Sequence, residues 1–256
     1  MSKKATTTAV CLLAIATLLL TSCKSEKRLA HYEGIYQQAT EAIYIAPIND
    51  LTPRLAVREL DDSAYNASLN IAAMQMYLTA AAPLTSRGYY VPGPLTSAQV
   101  ADLETRTGKQ LREADIRDLH TQLGIDAILF IDILKWENTN CSWSVEAEYR
   151  LRSTHTGADI MHVHINATKS VFPDYKGDPK PLKADLAFTR QYGCDVATAQ
   201  RCRLVETVNQ YVLRDLPQGY LARQHKADRY IKAHPDRFIL TIHRDSSVEL
   251  TKDTEQ

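Results

Sequence analysis

Residues 126–136, DAILFIDILKW, decide the fold class. β-Branched, aliphatic and aromatic side chains fill the stretch, and only Asp132 interrupts it before Lys135. So apolar a run, without strict alternation, marks a central strand covered on both faces, as in sheets whose neighbouring strands are joined by helices. The sequence on its carboxyl side changes period. Residues 141–152, CSWSVEAEYRLR, alternate cleanly, with Cys141, Trp143, Val145, Ala147, Tyr149 and Leu151 on one side and Ser142, Ser144, Glu146, Glu148, Arg150 and Arg152 on the other. After a His-Thr-Gly turn, residues 159–170, DIMHVHINATKS, alternate again with Met161, Val163, Ile165 and Ala167 inward. A three-residue turn with Gly157 in the left-handed conformation pairs Thr154 with Ala158. That register sets Arg150 opposite His162 and Glu148 opposite His164.

On the amino side, EAIYIAPI (41–48) reads as a strand stopped by Pro47. Asp61, Asp62 and Ser63 offer caps for a helix from about Ala64. It carries Leu69, Ala72, Ala73 and Met76 on one stripe, with Ile71, Met74 and Leu78 read as flanking it, an apolar face broad enough to pack on a sheet. GYYVPG (88–93) is a second short strand, and two short helices follow, the second over about 112–123. Its face holds Ile116, Leu119, His120 and Leu123, with Gly124 after its end, so His120 is expected at the edge of the core. The order β-α-β-αα-β, then an antiparallel meander, gives an α/β fold with a mixed sheet of about five strands. Right-handed crossovers put the first strand between the second and third. A helix over 184–216, with Val205, Val208, Val212 and Leu216 in line, covers the sheet. RFILTIH (237–243) is expected as an edge strand and the last dozen residues as loose.

The amino terminus is an address. Lys3 and Lys4 precede an apolar run, Ala9 to Leu20 apart from Thr17, of about a dozen residues, where a bilayer core needs about 20. Small residues Thr21 and Ser22 then lead to Cys23, the layout of an export signal with its cutting site. Leu-Thr-Ser-Cys resembles the lipobox of bacterial lipoproteins, in which the cysteine is acylated and becomes the new amino terminus. Two or more acyl chains make anchoring stable without a spanning helix. Lys24 after Cys23 favours the outer membrane over the inner one. The organisation expected is a signal peptide over 1–22, lipidation at Cys23, a tether over 23–40, one domain over 41–220 and a partly loose extension over 221–256.

The chain has 30 basic and 30 acidic residues in 256, so no basic excess points to nucleic acid or an anionic surface. Of five cysteines, Cys11 leaves with the signal and Cys23 takes lipid, leaving Cys141, Cys194 and Cys202. Export permits a disulfide. Cys194 and Cys202 could close a small loop, or Cys202 could be a buried apolar residue beside Val205 and Val208. No Cys-x-x-Cys, Walker, dinucleotide, Gly-x-Ser-x-Gly or His-Glu-x-x-His motif is present. No catalytic residue, cofactor or metal is therefore expected. His162 and His164 share one face of a strand, as zinc ligands can, but Arg150 beside them makes a poor cage. An alternative to a purely binding role is a small-ligand or hydrolytic crevice at the ends of the parallel strands, around Asn49, Asp50, Pro92, Gly93 and Asp132.

Five segments, AIYIAPIND, APLTSRGYYVPG, LGIDAILFIDILKW, YRLRSTHTGADIMH and LPQGYLARQHKAD, together resemble a family of bacterial lipoproteins of unknown function, typified by a genome-derived neisserial surface antigen. They run in the family's order over about residues 41–228. The family prefers an aromatic residue near Met161, which this chain lacks. The resemblance implies an α/β domain similar to those of periplasmic assembly proteins, with no enzyme activity. It also implies partners, namely other envelope lipoproteins similar to the curli secretion channel, or a second copy. The expected protein is an outer-membrane-anchored periplasmic lipoprotein that acts as an interaction or assembly factor.

Overall fold

A computed structural model describes residues 33–52, 60–93, 99–102, 104–105, 117–139, 142–170, 183–214, 216–219, 237–243 and 247–253. Cys23, the signal segment and Cys141 lie outside the described residues. In chain order the elements are α1 (Glu33–Gln37), β1 (Ile43–Ile45), β2 (Asn49–Asp50), α2 (Leu60–Ser86), α3 (Arg117–Leu123), β3 (Ala127–Thr139), β4 (Ser142–Ser153), β5 (Asp159–Ser170), α4 (Lys183–Tyr192), α5 (Val196–Leu213), β6 (Arg237–Ile242) and β7 (Val248–Lys252).

The class is the expected mixed α/β, built on a seven-stranded sheet in the order β1-β3-β4-β5-β6-β7, with β2 also on β3. β1 and β2 run parallel to β3, Pro47 lying between them. Ala42 makes a parallel bridge to Tyr90 on its far side. The first strand thus lies between the second segment and the third, as right-handed crossovers require, although GYYVPG contributes a single bridge rather than a strand.

The β4–β5 hairpin has Gly157 at φ 74° and the expected body register, Arg150 opposite His162 and Glu148 opposite His164. Near the turn an irregularity pairs Arg152 with Asp159, so the predicted Thr154–Ala158 pair is replaced by Ser153 N–H donating to the Ala158 carbonyl. The carboxyl end departs further from expectation. β6 pairs parallel with β5 and is covered by β7, so 237–242 is interior. Residues 248–252, expected loose, are the edge strand. The early segment is also more structured than a tether. Ile35 in α1 is buried in the core, and Gly34 packs so close to Ile160 that a Cβ there would overlap its side chain.

One face of the sheet carries the main core. Ile131, Val145, Tyr149, Leu151, Ile165, Phe238 and Leu240 meet Leu69, Met76, Leu84, Val205 and Val208 of α2 and α5. The wide apolar face assigned to α2 is in fact two faces. At 100° per residue, Leu69, Ala72, Met76 and Ala80 cluster about one direction, and Ile71, Met74 and Leu78 about the opposite one. The first set is buried, while the second is 48, 66 and 58% exposed. Pro83 is tolerated in the last turn of α2, where Ser86 Oγ donates to its carbonyl. Just beyond, the family-like segments RGYYV and LPQG dock on each other. Gly219 N–H donates to the Arg87 carbonyl and Tyr89 Oη to the Pro217 carbonyl, and a Cβ on Gly219 would strike the Gly88 backbone.

Several polar groups inside this face are paired. Tyr149 Oη donates to Asn209 Oδ1 at 2.8 Å, and Asn209 Nδ2 donates to the Met76 carbonyl and Thr79 Oγ1. Sheet, α5 and α2 are thereby tied at one point. At the end of β5, Lys169 Nζ lies 3.3 Å from buried Asp185 of α4, which Arg203 of α5 also approaches at 3.5 Å. The opposite face has a smaller core, Tyr44, Ala46, Val100, Leu119, Ile125, Ile128 and Phe130. It covers only the amino-terminal half of β3, which is therefore buried on both sides as its sequence predicts.

Candidate functional site

Three backbone segments meet at the start of β3 and build a cleft. α3 ends at Leu123, and Gly124, at φ 64°, donates its N–H to the His120 carbonyl, a closure that favours glycine. This sets His120 beside Asp126, the residue before β3. Antiparallel pairing of Ala127 with Ser153 brings the hairpin tip to the same place. There Thr154 N–H donates to the Asp126 carbonyl and Thr154 Oγ1 to the Ile125 carbonyl. His155, the next residue, is thus held over Asp126.

The result is a histidine–carboxylate–histidine group. Asp126 Oδ1 lies 3.1 Å from His120 Nδ1 and 3.2 Å from His155 Nε2. The two imidazole rings are 4.0 Å apart between centroids and inclined at 46°. Asp126 Oδ2 accepts the backbone N–H groups of Glu41 and Ala42, each at 2.9 Å. The carboxylate side chain is 13% exposed, against 43% and 32% for His120 and His155, so a fixed acceptor sits between two reachable rings. The cleft they border has a volume of about 560 Å³ and is also lined by Gln38, Ala39, Glu41, Ala42, Tyr90 and Gly124.

His120 is therefore not at the core edge, since its helix turns Leu119 inward and His120 to the cleft. Its grouping with Asp126 and His155 was not drawn from the sequence. The signal was available: registering β3 against β4 from the hairpin would have set the turn beside Asp126.

The other site residues lie elsewhere. His162 is 3.7 Å from Glu148 and His164 2.8 Å from Glu146, so each histidine of the HVH pair has its own carboxylate. His164 is buried rather than solvated, because β6 lies alongside β5 and places Arg237 opposite it. Of the strand-end crevice, Asn49 Nδ2 donates to Asp132 Oδ1 and Arg150 to Asp132 Oδ2, both at 2.9 Å. Both oxygens of that carboxylate thus bond protein groups. Pro92 and Gly93 follow the Tyr90 bridge on the far side of β1. Cys194 and Cys202 are free thiols, one partly exposed and one buried in α5. Burial pushes both up from the usual thiol range, Cys202 to about 12. No helix among the described residues is long and apolar enough to cross a membrane.

Comparison with known families adds one decisive finding. Residues 62–174 match the family described as "Putative lipoprotein GNA1162-like". That span holds all but the first two residues of α2, then α3, β3, the whole hairpin and all three residues of the cleft group. Among solved structures, lipoprotein GNA1162 from Neisseria meningitidis is 21% identical, with a TM-score of 0.35, over 50% of this chain and 78% of that one. The hypothetical protein CT253 from Chlamydia trachomatis is 15% identical, with a TM-score of 0.40, over 68% and 95%. PelC from Paraburkholderia phytofirmans, a dodecamer, is 11% identical, with a TM-score of 0.34, over 67% and 86%. No curated protein sequence matches the chain.

Proposed function

We propose that the protein is a lipid-anchored component of the bacterial envelope that acts by binding other envelope lipoproteins or itself, not by catalysis. Anchoring rests on Leu-Thr-Ser-Cys23 after a short apolar run, ahead of a domain whose residues 62–174 match a lipoprotein family. Lys24 favours the outer membrane, with the domain in the periplasm. The observation that carries the binding role is the row Ile71, Met74 and Leu78 along the outer side of α2. Fully burying one such side chain contributes about 1.5–3 kcal/mol, and a contiguous apolar row at a surface marks an interaction site. The resemblance supplies the partner class, envelope lipoproteins similar to the curli secretion channel, with a second copy of the chain as the other candidate.

The test is a photocrosslinker at position 74 in intact cells, followed by gentle solubilisation and mass spectrometry of bound proteins and of the Cys23 peptide. One or two envelope lipoproteins, or the chain itself, should be captured, lost in Cys23→Ala and weakened when Leu78 becomes Glu. An acylated protein that crosslinks to nothing would sink the binding role, and an unacylated Cys23 would sink the anchor.

A further inference from the structure

We propose that His120, Asp126 and His155 bind a single divalent transition-metal ion of the zinc class, with a fourth position open to the cleft. The inference does not depend on the anchoring or binding role. It rests first on distances. Ligands about 2.0–2.1 Å from a tetrahedral zinc lie about 3.3 Å from one another. The Asp126 Oδ1 contacts to His120 Nδ1 and His155 Nε2, at 3.1 and 3.2 Å, are close to that edge length. One donor atom from each of the three residues falls within 4.8 Å of the others, so the arrangement needs little adjustment to close on an ion.

Ligand chemistry points the same way. Two imidazoles and one carboxylate suit zinc and its neighbours, whereas calcium and magnesium prefer all-oxygen sets. The outer shell is already built, because a ligating carboxylate is normally held by further hydrogen bonds. Asp126 Oδ2 is held by the N–H groups of Glu41 and Ala42, which leaves Oδ1 directed at the rings. His155 is held by the Thr154 bonds to Asp126 and Ile125 and by its own N–H to Ser153 Oγ. Three protein ligands and an adjoining cavity of about 560 Å³ leave one coordination position to water. The HVH pair has no such convergence, since its histidines contact different carboxylates, Glu148 and Glu146.

The experiment uses the full chain in detergent, stripped with a chelator and titrated with Zn²⁺ against a chromogenic competitor. One equivalent should bind at micromolar affinity or tighter. Affinity should fall about tenfold or more in His120→Ala and in His155→Ala, and stay unchanged in His162→Ala. Both ligating histidines are exposed, and circular dichroism will show that the variants fold. X-ray absorption on the zinc-loaded natural chain needs no variant and should show a nitrogen and oxygen shell with imidazole scattering. A sulfur shell would place the ion on a cysteine and overturn the assignment. So would the absence of saturable binding at submillimolar Zn²⁺, or binding unaffected by both alanine variants.

Discussion

The two faces of the sheet treat polar side chains in opposite ways. Under α2, α4 and α5, Tyr149, Asn209, Lys169 and Asp185 are buried, and each is matched to a named partner on another element. On the other face, past the small core over β1 and β3, most polar groups pair near water, with Asp132 and His164 the buried exceptions. Examples are Arg152 with Asp159, Lys135 with Glu137 and His162 with Glu148. The buried groups carry a desolvation penalty that only their partners offset, so removing one partner is costly. Surface pairs lose little in either state and contribute little. The α2 helix repeats the contrast within one element, with Met76 fully buried and Met74 66% exposed.

The largest effect should come from Asp185→Ala, which leaves Lys169 buried without its carboxylate. The expected loss is about 3–5 kcal/mol, read by chemical denaturation. Burial already holds the Lys169 ammonium below its usual range, with Asp185 opposing that shift. In the variant the folded state should bind fewer protons than the unfolded one. Stability should then rise with pH between the lowered folded value and 10.5. A flat pH profile with a small loss would break the contrast between the faces.

Tyr149→Phe keeps the ring and strands Asn209 Oδ1, for an expected loss of about 1–3 kcal/mol. Asp195→Ala removes the cap of α5, whose side chain accepts from Thr198 N–H at 2.8 Å. Its cost should be about 0.5–2 kcal/mol at neutral pH. Burial pushes the Asp195 carboxyl up, but hydrogen bonds from Thr198 and Ala197 outweigh it and hold the group below 3.8. A depressed folded value means that the stabilisation is present above 3.8 and lost as pH falls through the folded value. The melting difference between Asp195→Ala and the natural chain should therefore close in acid. Lys135→Ala, on the open face, should leave the denaturation midpoint unchanged. A loss exceeding that of Asp195→Ala would show that the open face is covered in solution.

The body of the hairpin was legible to the residue, and only the pairing next to the turn differed. Strict alternation fixes which side chains share a face, and a glycine at the turn fixes the offset, so Arg150–His162 and Glu148–His164 followed from local chemistry. The crossovers around β1 were legible for a similar reason, because chirality leaves one arrangement. The α2 face was misjudged through an angular count, with Ile71, Met74 and Leu78 placed beside the buried stripe when helical geometry puts them opposite it. β7 was missed because VELTK is short and set in a charged tail, although Val248 and Leu250 alternate and pack against the core once β7 pairs with β6.

By itself, then, the sequence determined the α/β class and the register along the body of the hairpin, because each depends on neighbours a few residues apart. Only the tertiary structure decided where the helix 117–123 and the turn at 154–156 would come to rest. The grouping of His120 and His155 around Asp126 spans residues far apart in the chain. It exists because strand pairing and a helix stop deliver them to one point.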